Sequence, residues 1–232
     1  METSRFSAQD EAMLAARSTK WGSWLFTRYL NRLFRRSFHV IRFSGEYSLL
    51  ESEEAFPLIL YSNHQTWWDG LLEWPVITHF RLNHLLMMEE KNLRRFPFFR
   101  RVGVFGVDLD SRSGRSAGLL YAIRGLRDGT PRRTLILYPQ GQLLPAHEGW
   151  RSFQPGLEKI LQAVPRARAI PVAKHLRMGR FPKPEVILHF GPPQPGGATA
   201  ASLEEALLAT MREAERDSFA WLPEDPKGLQ RT

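Results

Sequence analysis

The residues of this chain best suited to chemistry are a histidine and an aspartate five positions apart, His64 and Asp69, in the stretch Ser62-Asn63-His64-Gln65-Thr66-Trp67-Trp68-Asp69-Gly70. An imidazole with an ordinary pKa near 6.5 accepts a proton at neutral pH, and a neighbouring carboxylate can fix its tautomer and stabilise the imidazolium. On a regular helix five residues turn about 500°, leaving the two side chains roughly 140° apart, so the pairing needs a turn or an irregular first helical turn. The same residues also fit a capping aspartate beside a satisfied histidine. Placement favours chemistry. Pro57 and the apolar run Leu58-Ile59-Leu60-Tyr61 read as a buried strand, and open α/β sheets hold their ligands at strand ends.

A second stretch repeats the geometry. Thr134-Leu135-Ile136-Leu137-Tyr138-Pro139-Gln140-Gly141-Gln142 is an apolar strand running into a Pro/Gly turn, where a glycine lets backbone approach a ligand. A tight turn after a core strand explains it equally well. Ala169-Ile170-Pro171-Val172-Ala173 reads as a strand whose internal proline places it at an edge or a strand-end bend. Phe96 to Phe105 is apolar and basic, fit for a lipid groove or for core.

The elements that must position these residues alternate. Candidate strands are 40–43, 58–61, 83–88, 104–109, 134–138, 169–173 and 186–190, with helical patterns at 70–79, 91–101, 113–127 and 153–163. A last helix runs from Ser202, its expected cap, to about Ala220, and 192–197 reads as a linker. Strands spaced by helices predict an α/β fold with a largely parallel sheet of about seven strands, covered on both faces.

The N-terminal part differs in composition. Residues 1–18 read as a loosely ordered lead, with Asp10 to Arg17 its best helical piece. From Lys20 to Phe43 aromatic residues mix with Arg28, Arg32, Arg35, Arg36 and Arg42 as a basic amphipathic helix; Arg28, Arg32, Arg35 and His39 fall on one stripe. That suits an interfacial helix, and equally a helix that packs its aromatics on the core and solvates its arginines. Residues 1–44 are therefore read as a membrane-associating segment and 45–232 as the α/β domain.

The whole chain of 232 residues carries a net charge of +8, which points to an anionic partner such as a membrane surface, nucleic acid or an acidic cofactor. Without cysteine it has neither disulfides nor thiolate metal sites. No apolar run has the length of a transmembrane helix or the form of a signal peptide, so the chain is expected in the cytoplasm, peripheral at the inner face of the cell membrane. No nucleic-acid-binding signature accompanies the charge.

Taken in order, these segments resemble the glycerophospholipid acyltransferases, the PlsC-like enzymes that move a fatty acyl group from a thioester to a lipid hydroxyl. Asn63-His64 through Asp69 matches the family's Asn-His-x-x-x-x-Asp motif. Met87 to Arg101 followed by Gly103-Val104-Phe105-Gly106-Val107-Asp108 resembles its second block, Tyr138-Pro139-Gln140-Gly141 its Phe-Pro-Glu-Gly block and Ile170-Pro171-Val172 its closing block. Phe153 and Gly156 sit where the family has Phe-x-x-Gly. The resemblance spans about residues 38–192.

It implies an O-acyltransferase in which His64 is the general base, oriented by Asp69, with acyl-CoA or acyl carrier protein as donor and no metal or other cofactor. Backbone N–H groups of the Gln140-Gly141 turn are the candidate oxyanion donors. Asn63, Thr66, Trp67, Asp108, Arg112, Arg115, Tyr138, Gln140, Gly141, Gln142 and Pro171 are the expected substrate-binding residues. The departures concern the acceptor. Leu109 and Leu143 stand where the family carries the arginines expected to hold a phosphate, so the acceptor is expected to lack a phosphomonoester, as a glycolipid or carotenoid-type alcohol does. The alternatives are a lysophosphatidic acid acyltransferase, with Arg112 or Arg115 compensating, and a noncatalytic lipid-binding relative.

Overall fold

The computed structural model describes residues 14–179 and 181–220. Seven strands form one sheet in the order β1-β7-β6-β2-β5-β3-β4: β1 (Val40–Gly45), β2 (Leu58–Ser62), β3 (Asn83–Glu89), β4 (Val104–Val107), β5 (Arg133–Leu137), β6 (Arg168–Arg177) and β7 (Glu185–Phe190). All neighbours are parallel except β6 and β7. The helices are α1 (Lys20–Ser37), a single turn α2 (Ser48–Glu51), α3 (Asp69–His79), α4 (Glu90–Arg95), α5 (Arg112–Arg127), α6 (Gly156–Ala163) and α7 (Ala200–Ala220).

Strand alternation sorts the core into two layers. From β2, Leu58 and Leu60 pack with Leu30 and Phe34 of α1 and with Leu72 and Val76 of α3. Ile59 and Tyr61, pointing the other way, join Tyr121 of α5, Ile160 of α6 and Leu207 of α7. The sheet is thus covered on both faces, as the alternating elements require. The β2–β5–β3–β4 half is all parallel, so the turns after β2, β5 and β4 emerge at one edge.

Several local expectations change. β6 is an interior strand between β2 and β7, despite Pro171. The carbonyl of Pro171 accepts from the Gly191 N–H at 2.9 Å, on the side where the β7 ladder ends at Val172 opposite Phe190, so the missing donor falls beyond the pairing. The helix expected over 91–101 breaks before Pro97 into α4 and a 3₁₀ segment (Pro97–Val102), because the residue preceding a proline is pushed out of the helical region. The strand expected to run to Leu109 ends at Val107. Thr199, not Ser202, caps α7: its hydroxyl accepts from the Ser202 N–H at 3.2 Å. The expected linker 192–197 is anchored by Gln194, which exchanges both backbone hydrogen bonds with Ala169 at 2.6 and 3.0 Å.

The N-terminal reading is redrawn too. Of the expected helical piece 10–17, residues 10–13 lie outside the described residues and Leu14 to Arg17 are not helical. Leu14, Arg17 and Thr19 hydrogen-bond through their backbone to Gly106, Arg100 and Arg101, covering the β4 edge. α1 stops at Ser37, which leaves His39 off the arginine stripe and stacked on Phe181. Its aromatics divide: Phe26 and Phe34 are core, whereas Trp21, Trp24, Leu25 and Tyr29 are exposed beside Arg28, Arg32, Arg35 and Arg36. The boundary expected at residue 44 falls inside β1, which pairs with β7 along its whole length. In the 96–105 stretch Val102, Val104 and Phe105 are core, Phe98 and Phe99 pack against it, and Phe96 is exposed.

Candidate active site

β2 delivers Ser62, Asn63 and His64 between the ends of β6 and β5. Six residues without helix or strand, 63–68, separate β2 from α3, which the chain enters at Asp69, its first residue, and that irregular turn lets the two side chains meet. His64 Nδ1 donates to Asp69 Oδ2 at 3.1 Å. The same oxygen accepts from the backbone N–H groups of Gln65 and Thr66 at 2.6 and 2.8 Å, and Oδ1 accepts from the Thr66 hydroxyl at 2.9 Å. Asp69 is therefore the partner of His64 and the anchor of the turn that precedes α3; it does not cap the helix, because its oxygens accept from Gln65 and Thr66 and not from N–H groups of α3 itself.

Burial opposes the charged form of Asp69, but the His64 hydrogen bond, the charge of Lys174 and the Thr66 N–H outweigh it and hold the carboxyl below its usual range. With Nδ1 committed to Asp69, Nε2 is the nitrogen left for a substrate proton, and the His64 side chain is 22% exposed. Its ring lies on Tyr138, with centroids 4.2 Å apart and planes 22° off parallel. Beside it Trp67, 62% exposed, stacks on Trp68 at 4.3 Å, and Trp68 packs on Phe34 and Phe38 at the end of α1.

The Gln140 amide links the two turns. Its Oε1 accepts from the His64 N–H at 3.3 Å and its Nε2 donates to the Arg151 carbonyl at 3.4 Å. A carboxylate here could accept the first bond but not donate the second. The 140–152 loop is also tied to the site by the Leu144 N–H, which donates to the His64 carbonyl at 2.8 Å. Gly141 sits at φ +77°, and its N–H donates to the Tyr138 carbonyl at 3.0 Å, so this group closes the turn and is not free for an oxyanion. That leaves the Gln140 N–H as the donor of the expected pair. Gln142 is exposed on the same turn, and Pro171 is buried in β6 beside Tyr61 of β2.

Asp108, Arg112 and Arg115 are not brought to His64. Asp108 lies in the turn after β4, and Arg112 and Arg115 in the first turn of α5 that follows it, three strand spacings or about 14 Å along the same edge. Asp108 accepts from Ser111 Oγ at 2.6 Å and from the Asp110 N–H at 2.9 Å, which hold its carboxyl below the usual range. Arg115 donates to the Leu109 carbonyl at 2.5 Å.

Sequence reasoning missed two residues of the site. Glu73, one turn beyond Asp69 on α3, and Lys174 of β6 form an ion pair at 2.5 Å with side chains 1% and 0% exposed. The signal for Glu73 was its spacing, since residues four apart share a helix face. Nothing in the sequence marks Lys174.

No family model matches this sequence, and no curated protein matches it. Among solved structures the fold is similar to the crystal structure of the 1-acyl-sn-glycerophosphate (LPA) acyltransferase PlsC from Thermotoga maritima, with a TM-score of 0.55 and 19% identity over 86% of this chain and 81% of that one. What the chain shares with that enzyme, on this comparison, is the acyltransferase fold: the seven-stranded, mostly parallel sheet with helices around it.

Proposed function

We propose that this chain is an O-acyltransferase that moves a fatty acyl group from an acyl thioester, acyl-CoA or acyl carrier protein, to a lipid hydroxyl. The observation that carries the reading is the His64–Asp69 contact, with Asp69 fixed by three further hydrogen bonds and Nε2 left for the substrate. His64 Nε2 takes the acceptor hydroxyl proton as that oxygen attacks the thioester carbonyl. The tetrahedral intermediate collapses, the C–S bond breaks, and the imidazolium returns the proton to the departing sulfur. Base catalysis of this kind is worth typically 10²–10⁴ in rate. Thr66 and Trp67 shape the acceptor side and Tyr138, Gly141 and Gln142 form the opposite wall, while Asn63 and Gln140, expected to bind substrate, are buried with their amides paired and instead hold the two turns in place.

The acceptor in this reading lacks a phosphomonoester. The hollow beside the β4–α5 turn brings together Glu89, Glu90, Asp108 and Asp110 with Lys91 and Arg94. Both cations are already paired, Lys91 with Asp110 at 2.6 Å and Arg94 with Glu90. A phosphate dianion there would meet net negative charge. Each charge-assisted hydrogen bond missing at Leu109 and Leu143 is worth about 1.5–3 kcal/mol. A glycosylated lipid or carotenoid-type alcohol fits such an edge better.

The site opens beside α1, whose outward Trp21, Trp24, Leu25 and Tyr29 with four arginines suit the surface of an anionic bilayer, here the inner face of the cell membrane. No described helix is long and apolar enough to cross a membrane. The deciding experiment is a competition assay on purified protein, with one acyl-CoA donor and both lysophosphatidic acid and a glycosylated or long-chain alcohol as acceptors. Acylation of the alcohol at least tenfold faster is expected. Preferential acylation of lysophosphatidic acid would assign the other acceptor class, and no acylated product with either acceptor, from acyl-CoA or in a repeat with acyl carrier protein as donor, would leave the noncatalytic lipid-binding reading.

A further inference from the structure

We propose that Glu73 and Lys174 form a buried charge clamp that positions the His64–Asp69 pair from behind, with Tyr138 as the plate between clamp and imidazole. The inference rests on the acyltransferase reading only for its kinetic consequence.

The ion pair does not account for itself as a stability device. Taking two charges out of water costs more than their attraction commonly returns, and apolar residues of similar volume hold such a position as well or better. Glu73 is also incompletely satisfied: Oε1 accepts from Lys174 Nζ at 2.5 Å and from the Tyr138 hydroxyl at 3.0 Å, while Oε2 has no partner among the described residues. A fold that keeps so strained an arrangement beside its reactive histidine invites a functional account.

The connections supply one, because every path from the clamp ends on the dyad. Glu73 follows Asp69 by one turn of α3, so the position of its carboxylate sets the rotation of the helix that carries Asp69. Lys174 Nζ also donates to the Tyr138 hydroxyl at 3.3 Å, and the Tyr138 ring carries His64 on its face. The Lys174 backbone N–H donates to Asn63 Oδ1 at 2.8 Å and its carbonyl accepts from Asn63 Nδ2 at 3.1 Å, fixing the residue directly before His64. Charge closes the circuit. The ionisable groups around His64 are Asp69 and Glu73 from α3, Tyr138 after β5 and Lys174 from β6. Counted at formal charges, Asp69, Glu73 and Lys174 sum to −1, and the imidazolium formed in catalysis brings the cluster to zero. Lys174 and Glu73 are positioning residues; neither touches the reacting atoms.

Glu73→Gln is the test, since glutamine keeps the shape and can still accept from Lys174 and Tyr138 while losing the charge. The first measurement needs no activity: NMR titration of ring-labelled histidine, with the His64 signal assigned by its disappearance in His64→Ala. The expected result is a fall of about one pH unit in the His64 midpoint in Glu73→Gln, against little change in the charge-keeping Glu73→Asp. The second is kinetic. In Glu73→Gln kcat should fall at least tenfold with KM within about twofold, and the acidic limb of kcat/KM should move with the NMR midpoint. A folded Glu73→Gln whose midpoint stays within about 0.3 pH unit of wild type overturns the clamp, whatever the protein acylates. Should Glu73→Gln not fold, the double change Glu73→Gln with Lys174→Met removes the stranded ammonium. If it folds with wild-type kcat, the proposal is overturned. The expected shift in Glu73→Gln together with a wild-type protein that acylates nothing would sink the acyltransferase reading and leave the clamp standing.

Discussion

Two strand-to-helix turns leave the same edge of the sheet and treat their polar groups in opposite ways. After β2, Asp69 is 1% exposed and accepts four hydrogen bonds, Asn63 is bound twice to Lys174, and an ion pair is sealed beneath. After β4, Asp110 and Lys91 pair with side chains two-thirds exposed, and Arg115 donates to the backbone carbonyl of Leu109. An exposed ion pair in water constrains little, because solvent screens it and side-chain entropy opposes it. A buried polar group left without its partner costs the full price of desolvation, so the first turn has one arrangement, set before any substrate arrives. Fixed geometry belongs to the first turn; adaptable geometry belongs to the second.

The strongest way to break this contrast is to cut into both turns. His64→Ala is expected to lower turnover by roughly 10²-fold or more, and Asp69→Asn almost as much, since the imidazole then loses the acceptor that fixes its tautomer. Arg112→Ala and Arg115→Ala should change kcat/KM for a phosphate-free acceptor by less than about threefold. Steady-state kinetics on purified variants decide it. If His64→Ala kept more than about a tenth of wild-type turnover, general-base catalysis by this residue would be untenable. If lysophosphatidic acid were a good acceptor and that activity vanished with Arg115→Ala, the second turn would be a phosphate site and the contrast would fail.

The two turns were unequally legible. His64 and Asp69 could be found because a short apolar run must be a strand and must stop at Asn63, and because five-residue spacing off a regular helix demands the irregular turn observed. The sheet order needed structure. Pro171 argued for an edge or a strand-end bend; the strand is interior, and the missing donor falls past the end of the β7 ladder. Glu73 and Lys174 were illegible for a physical reason: both residue types are ordinarily exposed, and only the meeting of α3 and β6 in space shows that each buries the other. The arginine stripe was legible as a pattern, but where α1 ends, and which of its aromatics the core takes, depend on α3 lying beneath it.

That surface sharpens the comparison, because exposed charges act there by number and not by geometry. Each Lys or Arg near an anionic bilayer contributes about 1 kcal/mol. Changing Arg28, Arg32, Arg35 and Arg36 together to Gln is therefore expected to weaken partitioning onto phosphatidylserine-containing vesicles by roughly 10²–10³-fold, and raised salt should weaken the wild type similarly. Unaltered co-sedimentation of the fourfold variant would remove α1 from the membrane reading.

A further expected effect comes from a largely enclosed histidine whose hydrogen bond, among the described residues, goes to backbone. His84 of β3 donates from Nε2 to the Val102 carbonyl at 2.7 Å and meets Trp74 edge to face. It lies so close to Gly103, which has φ +88°, that a Cβ there would approach Nε2 to 2.6 Å. Burial, helped by the charge of Arg133, pushes its pKa down to about 4 against the pull of the Val102 and Leu82 carbonyls. The unfolded chain binds a proton near pH 6.5, so between the two values the unfolded state holds more protons and stability rises with pH. The contribution is complete above about pH 6.5 and is lost as pH falls toward 4. The full shift corresponds to about 3 kcal/mol, and the partial opening of the ring to solvent reduces it to about 2. His84→Gln keeps a donor for Val102 and removes the titration. Urea unfolding of both proteins at pH 7.5 and 4.5 isolates the term, because the carboxylates titrate alike in each. Wild type should lose about 2 kcal/mol more than the variant across that interval. Equal losses, within about 0.5 kcal/mol, would mean that His84 takes up its proton in the folded state, and that burial does not outweigh the Val102 and Leu82 carbonyls here.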